Sequence, residues 1–243
     1  MRLFTFFILF FFALEASIKA IIFDCDGVLV DSEGLKYLAW QKTLQTRNID
    51  FSRDEYKTFA GHTGRHILTQ ILSKRGLPFD PSISEEKNEE YWRLQKECIQ
   101  GMDPMLSLVP WAKDQKLLLG VASSAAKHEI LVNLHKLQIE DYFSEVLSGK
   151  DDLLHIHDPE GVNKPKPYIY QETCKRLSVE PKDCLVFEDS EAGVEAAKTA
   201  GCYVIAVPTE WTQDQNFKKA DQVFLPMVPE TLKRVILSMI QSE

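Results

Sequence analysis

The stretch that most constrains this chain is residues 20–33, AIIFDCDGVLVDSE. Its three apolar residues and Phe23 make a short strand buried on both faces. Two aspartates, Asp24 and Asp26, follow directly. A buried strand that ends in two carboxylates puts negative charge at the carboxyl edge of a sheet, where open α/β folds keep their ligand sites. Carboxylates held that close repel, so a cation or a shared proton is expected between them. Gly27 lets the chain turn where a Cβ would clash. An isolated Asp-x-Asp-Gly is an ordinary acidic turn, but here compatible pieces recur downstream in order.

Residues 34–47 have the apolar spacing of a helix, and the chain to about residue 99 is helical in pattern without a convincing strand. Residues 52–55 have the character of a capping box, residues 61–65 form a polar turn between glycines, and helices are predicted over 66–72 and 83–100. This reads as a helical module inserted between two strands of one sheet, with 101–104 as the return linker. From Lys116 the pattern changes. Strands are predicted over 117–122, 146–148, 185–187, 203–207 and 223–225. Helices are predicted over 127–136, 167–177, 192–200 and 229–240, and a polar loop spans 151–163. Strand–helix alternation of this kind implies a doubly wound parallel α/β sheet with right-handed crossovers.

A net charge of −8 without any basic run argues against a nucleic-acid binder, which needs clustered lysine and arginine. An acidic protein that handles anions needs local positive charge or a metal in its pocket. The five cysteines (Cys25, Cys98, Cys174, Cys184, Cys202) show no Cys-x-x-Cys or zinc spacing, and read as reduced core thiols. Cys25 lies between the aspartates, but alternation along the chain turns it away from them, toward packing. His155 and His157 lie in a polar loop without further ligands and read as solvated.

Residues 1–17 stand outside the fold. Arg2 precedes a nearly unbroken apolar run from Leu3 to Leu14, too short to span a bilayer but suited to the apolar region of a signal peptide. A removed signal, an uncleaved anchor and a start-site artefact are the alternatives. They leave the location cytoplasmic in one case and exported or membrane-anchored in the others.

Four features fall at strand ends or helix starts: Asp24/Asp26, Ser123 with Ser124, Lys164, and Glu188-Asp189. In a parallel sheet these converge on one rim. Four carboxylates, hydroxyls and a lysine on one rim describe a Mg²⁺ site beside a phosphate site. One carboxylate can attack phosphorus while its neighbour shuttles the proton. Singly, Ser123 or Lys164 would be a helix cap or a surface charge, and Glu188-Asp189 an acidic cap. Their agreement carries the argument.

The opening DCDGVLVDS, the strand-end VASS, the NKPKP segment and VFEDSEAGVEAAKTAG together resemble the haloacid dehalogenase superfamily. The resemblance is to its helical-cap phosphatase and β-phosphoglucomutase-like group, and it runs in consistent order over residues 18–228. It implies an α/β core of residues 18–33 and 105–243, with a helical cap domain of residues 34–104. It implies Asp24 as the nucleophile that forms an aspartyl-phosphate and Asp26 as general acid and base, its main-chain carbonyl touching the metal. Ser123, Ser124 and Lys164 are implied phosphate ligands, and Asp24, Asp26, Glu188 and Asp189 the Mg²⁺ set. Small residues from Ala192 to Ala200 would let the last helix approach the sheet, with Gly201 as its stop.

Asp26 favours phosphoryl chemistry, because dehalogenases of this superfamily lack the second aspartate. Lys36 stands where sugar phosphomutases of the group carry histidine, with Trp40 retained a turn later. Tyr168 stands where relatives have aspartate, a change that bears on how Lys164 is oriented, and the loop before Lys164 is long. Lys36 and Arg65 are candidate substrate contacts, Arg65 as a clamp on a distal anionic group. The expectation is a monomeric Mg²⁺-dependent phosphatase of a small phosphorylated metabolite. A sugar phosphomutase and a non-catalytic phospho-ligand-binding protein are the alternatives.

Overall fold

The computed structural model describes residues 17–240. The expected signal or anchor, apart from Ser17, lies outside the described residues. Among those described, no helix is long and apolar enough to cross a membrane. Strand β1 (Ala20–Phe23) is buried at all four residues, as an unbroken apolar run requires. Four helices of the insertion follow: α1 (Glu33–Gln45), α2 (Arg53–Lys57), α3 (Gly64–Lys74) and α4 (Ser82–Cys98). They enclose a separate apolar cluster, including Trp40, Leu44, Phe51, Tyr56, Leu68 and Ile71, to which Trp211 from outside the insertion also belongs.

The local signals explain where these helices begin. Ser52 Oγ accepts from the Glu55 amide at 3.1 Å and caps α2. Thr63 Oγ1 accepts from the His66 amide at 3.3 Å, so α3 starts at Gly64, two residues before the predicted start. A second difference follows the insertion. Where a linker at 101–104 and the entry to the core were expected, α5 (Asp103–Leu106) and α6 (Leu108–Asp114) form. Pro104 sits in the first turn of α5, where its missing N–H costs nothing. Met105, Leu108, Val109 and Ala112 are fully buried.

The rest alternates: β2 (Leu118–Ser123), α7 (Lys127–Lys136), β3 (Glu145–Ser148), α8 (Tyr168–Leu177), β4 (Cys184–Glu188), α9 (Glu191–Ala200), β5 (Tyr203–Ala206), β6 (Gln222–Val223) and α10 (Pro229–Ile240). The sheet is parallel throughout, in the order β3-β2-β1-β4-β5-β6. The chain runs outward from β1 to β3, then restarts beside β1 with β4 and runs out the other way. That reversal opens a crevice at the carboxyl ends of the central strands. Ile21, Phe23 and Phe187 face α6, α7 and α10, while Ile22, Val186 and Val204 face α8 and α9. The last strand is shorter than predicted and ends at Val223, although the Phe224 amide still donates to Ala206 O at 2.9 Å.

Cys25, Cys174, Cys184 and Cys202 are buried, but Cys98, which ends α4, is exposed, so it is not a core thiol. Cys174 Sγ lies 3.4 Å from Cys184 Sγ and 3.8 Å from Cys202 Sγ. The two passages joining the insertion to the sheet run side by side. The Asp31 amide donates to Gln100 O at 2.9 Å and the Met102 amide to Leu29 O at 2.9 Å. Further along, α4 rests on α7 through Gln95 Nε2 to Asn133 Oδ1 (2.8 Å) and Trp92 Nε1 to Glu129 Oε1 (2.8 Å).

Candidate active site

Register builds the site. Phe23 pairs with Phe187 across β1 and β4, so the next residues, Asp24 just past β1 and Glu188 at the end of β4, stand side by side at the carboxyl edge. The Asp24 amide donates to Phe187 O at 3.0 Å and fixes that position. Carboxylate oxygens of Asp24, Glu188 and Asp189 all lie within 4.8 Å of one another, and all three residues are buried. Lys164 comes from the loop before α8 and places its ammonium 2.7 Å from Asp24 Oδ1, 2.7 Å from Glu188 Oε1 and 3.1 Å from Ala122 O. Tyr170 donates its hydroxyl to Glu188 Oε1 at 2.6 Å, and its ring centre is 5.0 Å from the Lys164 ammonium. Ser190 donates to Glu188 Oε2 at 3.0 Å and accepts from the Gly193 amide at 3.1 Å, capping α9.

Two glycines make room for these carboxylates. A Cβ on Gly27, whose φ is +79°, would stand 2.2 Å from Asp189 Oδ2. A Cβ on Gly193 would stand 1.8 Å from Glu188 Oε1. The small residues of α9 do bring it close to the sheet, but Gly193 in particular is required by a carboxylate.

Burial pushes the Asp24 carboxyl up to about 7, against the pull of Lys164 and with added repulsion from Glu188 and Asp26. Burial, Glu188 and Asp24 drive Asp189 well above the carboxylate range. Asp26 behaves in the opposite way. Burial opposes its charge, yet Lys36 and the Ser32 hydroxyl outweigh it and hold the carboxyl below its usual value. Fully ionised, Asp24, Glu188 and Asp189 would carry more negative charge than Lys164 can neutralise. This all-oxygen donor set fits a hard divalent cation such as Mg²⁺, which would restore ionisation to Asp24 and Asp189.

The predicted residues distribute as follows. Asp24, Glu188, Asp189 and Lys164 meet. The Asp26 side chain stands apart from the cluster of three, with the Ser32 hydroxyl 2.5 Å and the Lys36 ammonium 3.2 Å from its Oδ1. Lys36 also reaches Glu33 Oε1 at 2.7 Å. Ser123 is buried at the end of β2, where its Oγ accepts from the Ala125 amide at 3.1 Å, and Ser124 is half-buried beside it. Arg65 is exposed in the first turn of α3, its guanidinium 5.6 Å from the Phe79 ring centre. Tyr168 donates to Asp158 Oδ2 at 2.9 Å, whereas Lys164 is oriented by Asp24, Glu188 and Ala122. His155 and His157 are exposed, and among the described residues neither belongs to a metal-competent cluster.

Sequence reasoning missed Ser32, Tyr170 and Ser190, each of which holds a site carboxylate. Ser32 and Ser190 stood inside the quoted motifs, one before α1 and one after Asp189, where a cap hydroxyl is the signal. It also missed Lys87 of α4. This residue is buried with its ammonium 5.5 Å from the Trp40 ring centre and 4.9 Å from that of Tyr91. Burial and the nearby charge of Lys36 lower its pKa to about 8.

The profile of the haloacid dehalogenase-like hydrolase family matches residues 21–207. A phosphorylated carbohydrates phosphatase of Thermotoga maritima is 35% identical over 188 residues, covering 75% of this chain and 82% of that protein. A β-phosphoglucomutase of Bacillus subtilis is 29% identical over 202 residues, 78% of this chain and 83% of its own length. Among solved structures, CbbY of Rhodobacter sphaeroides in complex with phosphate superposes with a TM-score of 0.71 at 27% identity. That match covers 85% of this chain and 93% of the other.

Proposed function

The chain belongs to the haloacid dehalogenase-like hydrolase family, and from that premise we propose that it is a Mg²⁺-dependent phosphatase working through an aspartyl-phosphate on Asp24. The substrate class is a small phosphorylated metabolite, of sugar-phosphate or phosphoglycolate type. One observation carries the reading: the buried Asp24–Lys164–Glu188 chain, with Asp189 against it and Asp26 two residues from the nucleophile. The phosphatase of Thermotoga supports the class.

In this reading Asp24 attacks phosphorus, the bond to the leaving oxygen breaks, and Asp26 gives that oxygen its proton. Asp26, then ionised, takes a proton from water, which attacks the aspartyl-phosphate and releases phosphate and the Asp24 carboxylate. Ser123, Ser124 and Lys164 bind the transferring group. Asp24, Glu188, Asp189 and the Asp26 carbonyl would hold Mg²⁺, which supplies countercharge for the carboxylates and the phosphoryl oxygens. Residues 18–33 and 105–243 form the core. Residues 34–104 act as the cap that closes over it and excludes water, and Arg65 clamps a distal anionic group of the substrate.

A phosphomutase is the second reading, favoured by the likeness to the Bacillus enzyme and opposed by Lys36, whose ammonium cannot copy an imidazole's two-sided hydrogen bonding. The test is phosphate release across a panel of sugar and small-acid phosphates, with Mg²⁺ or chelator and with Asp24→Asn as the blank. Isomerisation is followed in the same samples. Mg²⁺-dependent release that the substitution abolishes is the expected result. Isomerisation without release selects the mutase, and silence from a folded, Mg²⁺-binding protein selects a ligand-binding role.

A further inference from the structure

Asp26 is held by a chain of contacts that begins inside the helical insertion. Tyr56 of α2, fully buried, donates its hydroxyl to Glu33 Oε2 at 2.8 Å. Glu33, the first residue of α1 and only 5% exposed, takes the Lys36 ammonium on its other oxygen at 2.7 Å. Lys36 then reaches Asp26 Oδ1 at 3.2 Å, the same oxygen that accepts from Ser32. Both contacts grip Asp26 by one oxygen, and Oδ2 carries neither. A buried carboxylate with one cationic and one hydroxyl partner is a rigid anchor; Lys36 without it is a flexible stem with a single attachment.

We propose that Glu33 and Tyr56 are positioning residues for phosphate-ester hydrolysis: through Lys36 they fix the orientation of Asp26. The inference rests on the phosphatase reading, which gives Asp26 the proton transfers. Glu33 opens α1 at the boundary, Lys36 and Tyr56 belong to the insertion and Asp26 to the sheet edge, so the grip is complete only while the insertion is seated. A general acid displaced by about 1 Å can lose up to about a hundredfold in rate. Substrate phosphate is bound by other groups, so the loss falls on kcat and spares KM.

The experiment measures kcat and KM for Glu33→Gln, Tyr56→Phe, Lys36→Met, Lys36→Arg and the two double variants on Lys36→Met, with thermal melting alongside. Expected are a loss in kcat of about tenfold or more for Glu33→Gln and about fivefold for Tyr56→Phe. KM stays within about twofold of wild type in both. On the Lys36→Met background neither substitution lowers kcat further, and Lys36→Arg retains more activity than Lys36→Met. Losses that add in full to Lys36→Met, losses confined to KM, or an unchanged kcat overturn the inference. Should Glu33→Gln not fold, Tyr56→Phe, which removes one oxygen, carries the same comparison. A wild type that turns over no phosphate ester sinks the phosphatase reading and this inference with it. An active wild type with indifferent variants sinks this inference alone.

Discussion

At the sheet edge, the Lys164 side chain is 8% exposed and touches two carboxylates at 2.7 Å. On the outer face of the insertion, Arg47 meets Glu86 at 2.5 Å and Arg93 meets Glu97 at 2.7 Å, with much of each pair in water. The distances are alike and the energetics are not. A buried charge that loses its partner costs several kcal/mol, because its desolvation is then uncompensated, whereas an exposed pair trades protein contacts for water. Charge at the edge is therefore costly to unpair, and charge on the insertion's surface is mostly solvation.

The largest break in this comparison is Lys164→Met. It leaves Asp24 and Glu188 buried without their cation. We expect a fall in kcat of at least roughly a thousandfold and a loss of about 3–5 kcal/mol in stability by denaturant titration. A Lys164→Met protein that melts like wild type would remove the contrast. A matched pair of glycines sharpens it. Gly193→Ala drives a methyl into Glu188 and should cost about 1–3 kcal/mol. Gly64→Ala in α3 meets only Trp40 at 3.8 Å and should be neutral or stabilising by up to about 1 kcal/mol.

Next comes pH. Asp24 has its folded pKa raised to about 7 and Asp189 is raised as well. A raised carboxyl contributes stability that is fully present below its unfolded pKa near 4 and is lost as pH rises through the folded value. Asp26, shifted downward, changes charge below that window. In chelator, Tm should therefore fall by a few °C between pH 5 and pH 8. Mg²⁺ should restore it at pH 8 and do little at pH 5. Equal melting with and without Mg²⁺ at pH 8 would remove the metal from the picture. The smallest effect belongs to Glu86→Ala, which should change stability by less than about 1 kcal/mol and leave kcat alone.

The same difference governs what could be read from residues alone. Asp24, Ser123 and Glu188 lie at strand ends, so an apolar run followed by a polar residue announces both the element and the direction of the side chain. Lys164 has no such local mark. It entered through its agreement with the other pieces, and the structure brings its ammonium between two of them. Tyr170 looks like any aromatic on the apolar face of α8, because nothing in helical spacing shows that its hydroxyl meets a carboxylate 18 positions away. Glu33 and Tyr56 are 23 positions apart and meet only because α1 and α2 pack together. The helices α5 and α6 were missed because four and seven residues hold too few turns to display a period, and Pro104 reads as a break.

The paired passages at Leu29–Asp31 and 100–102 carry a mechanical consequence. A body joined to another by two strands that lie side by side, cross-linked by backbone hydrogen bonds, keeps one soft degree of freedom. It can rotate about the line of the strands, while sliding or twisting requires those bonds to break. In the proposed cap motion the paired passages are the hinge, and the bonds of Gln215 to Ala60 O (2.9 Å) and Arg53 to Glu210 (2.6 Å) open as it swings. In that proposed motion, a swing that lifts α4 from α7 carries Lys36 along its own arc about the same axis, so ligand admission and the grip on Asp26 would follow a single angle.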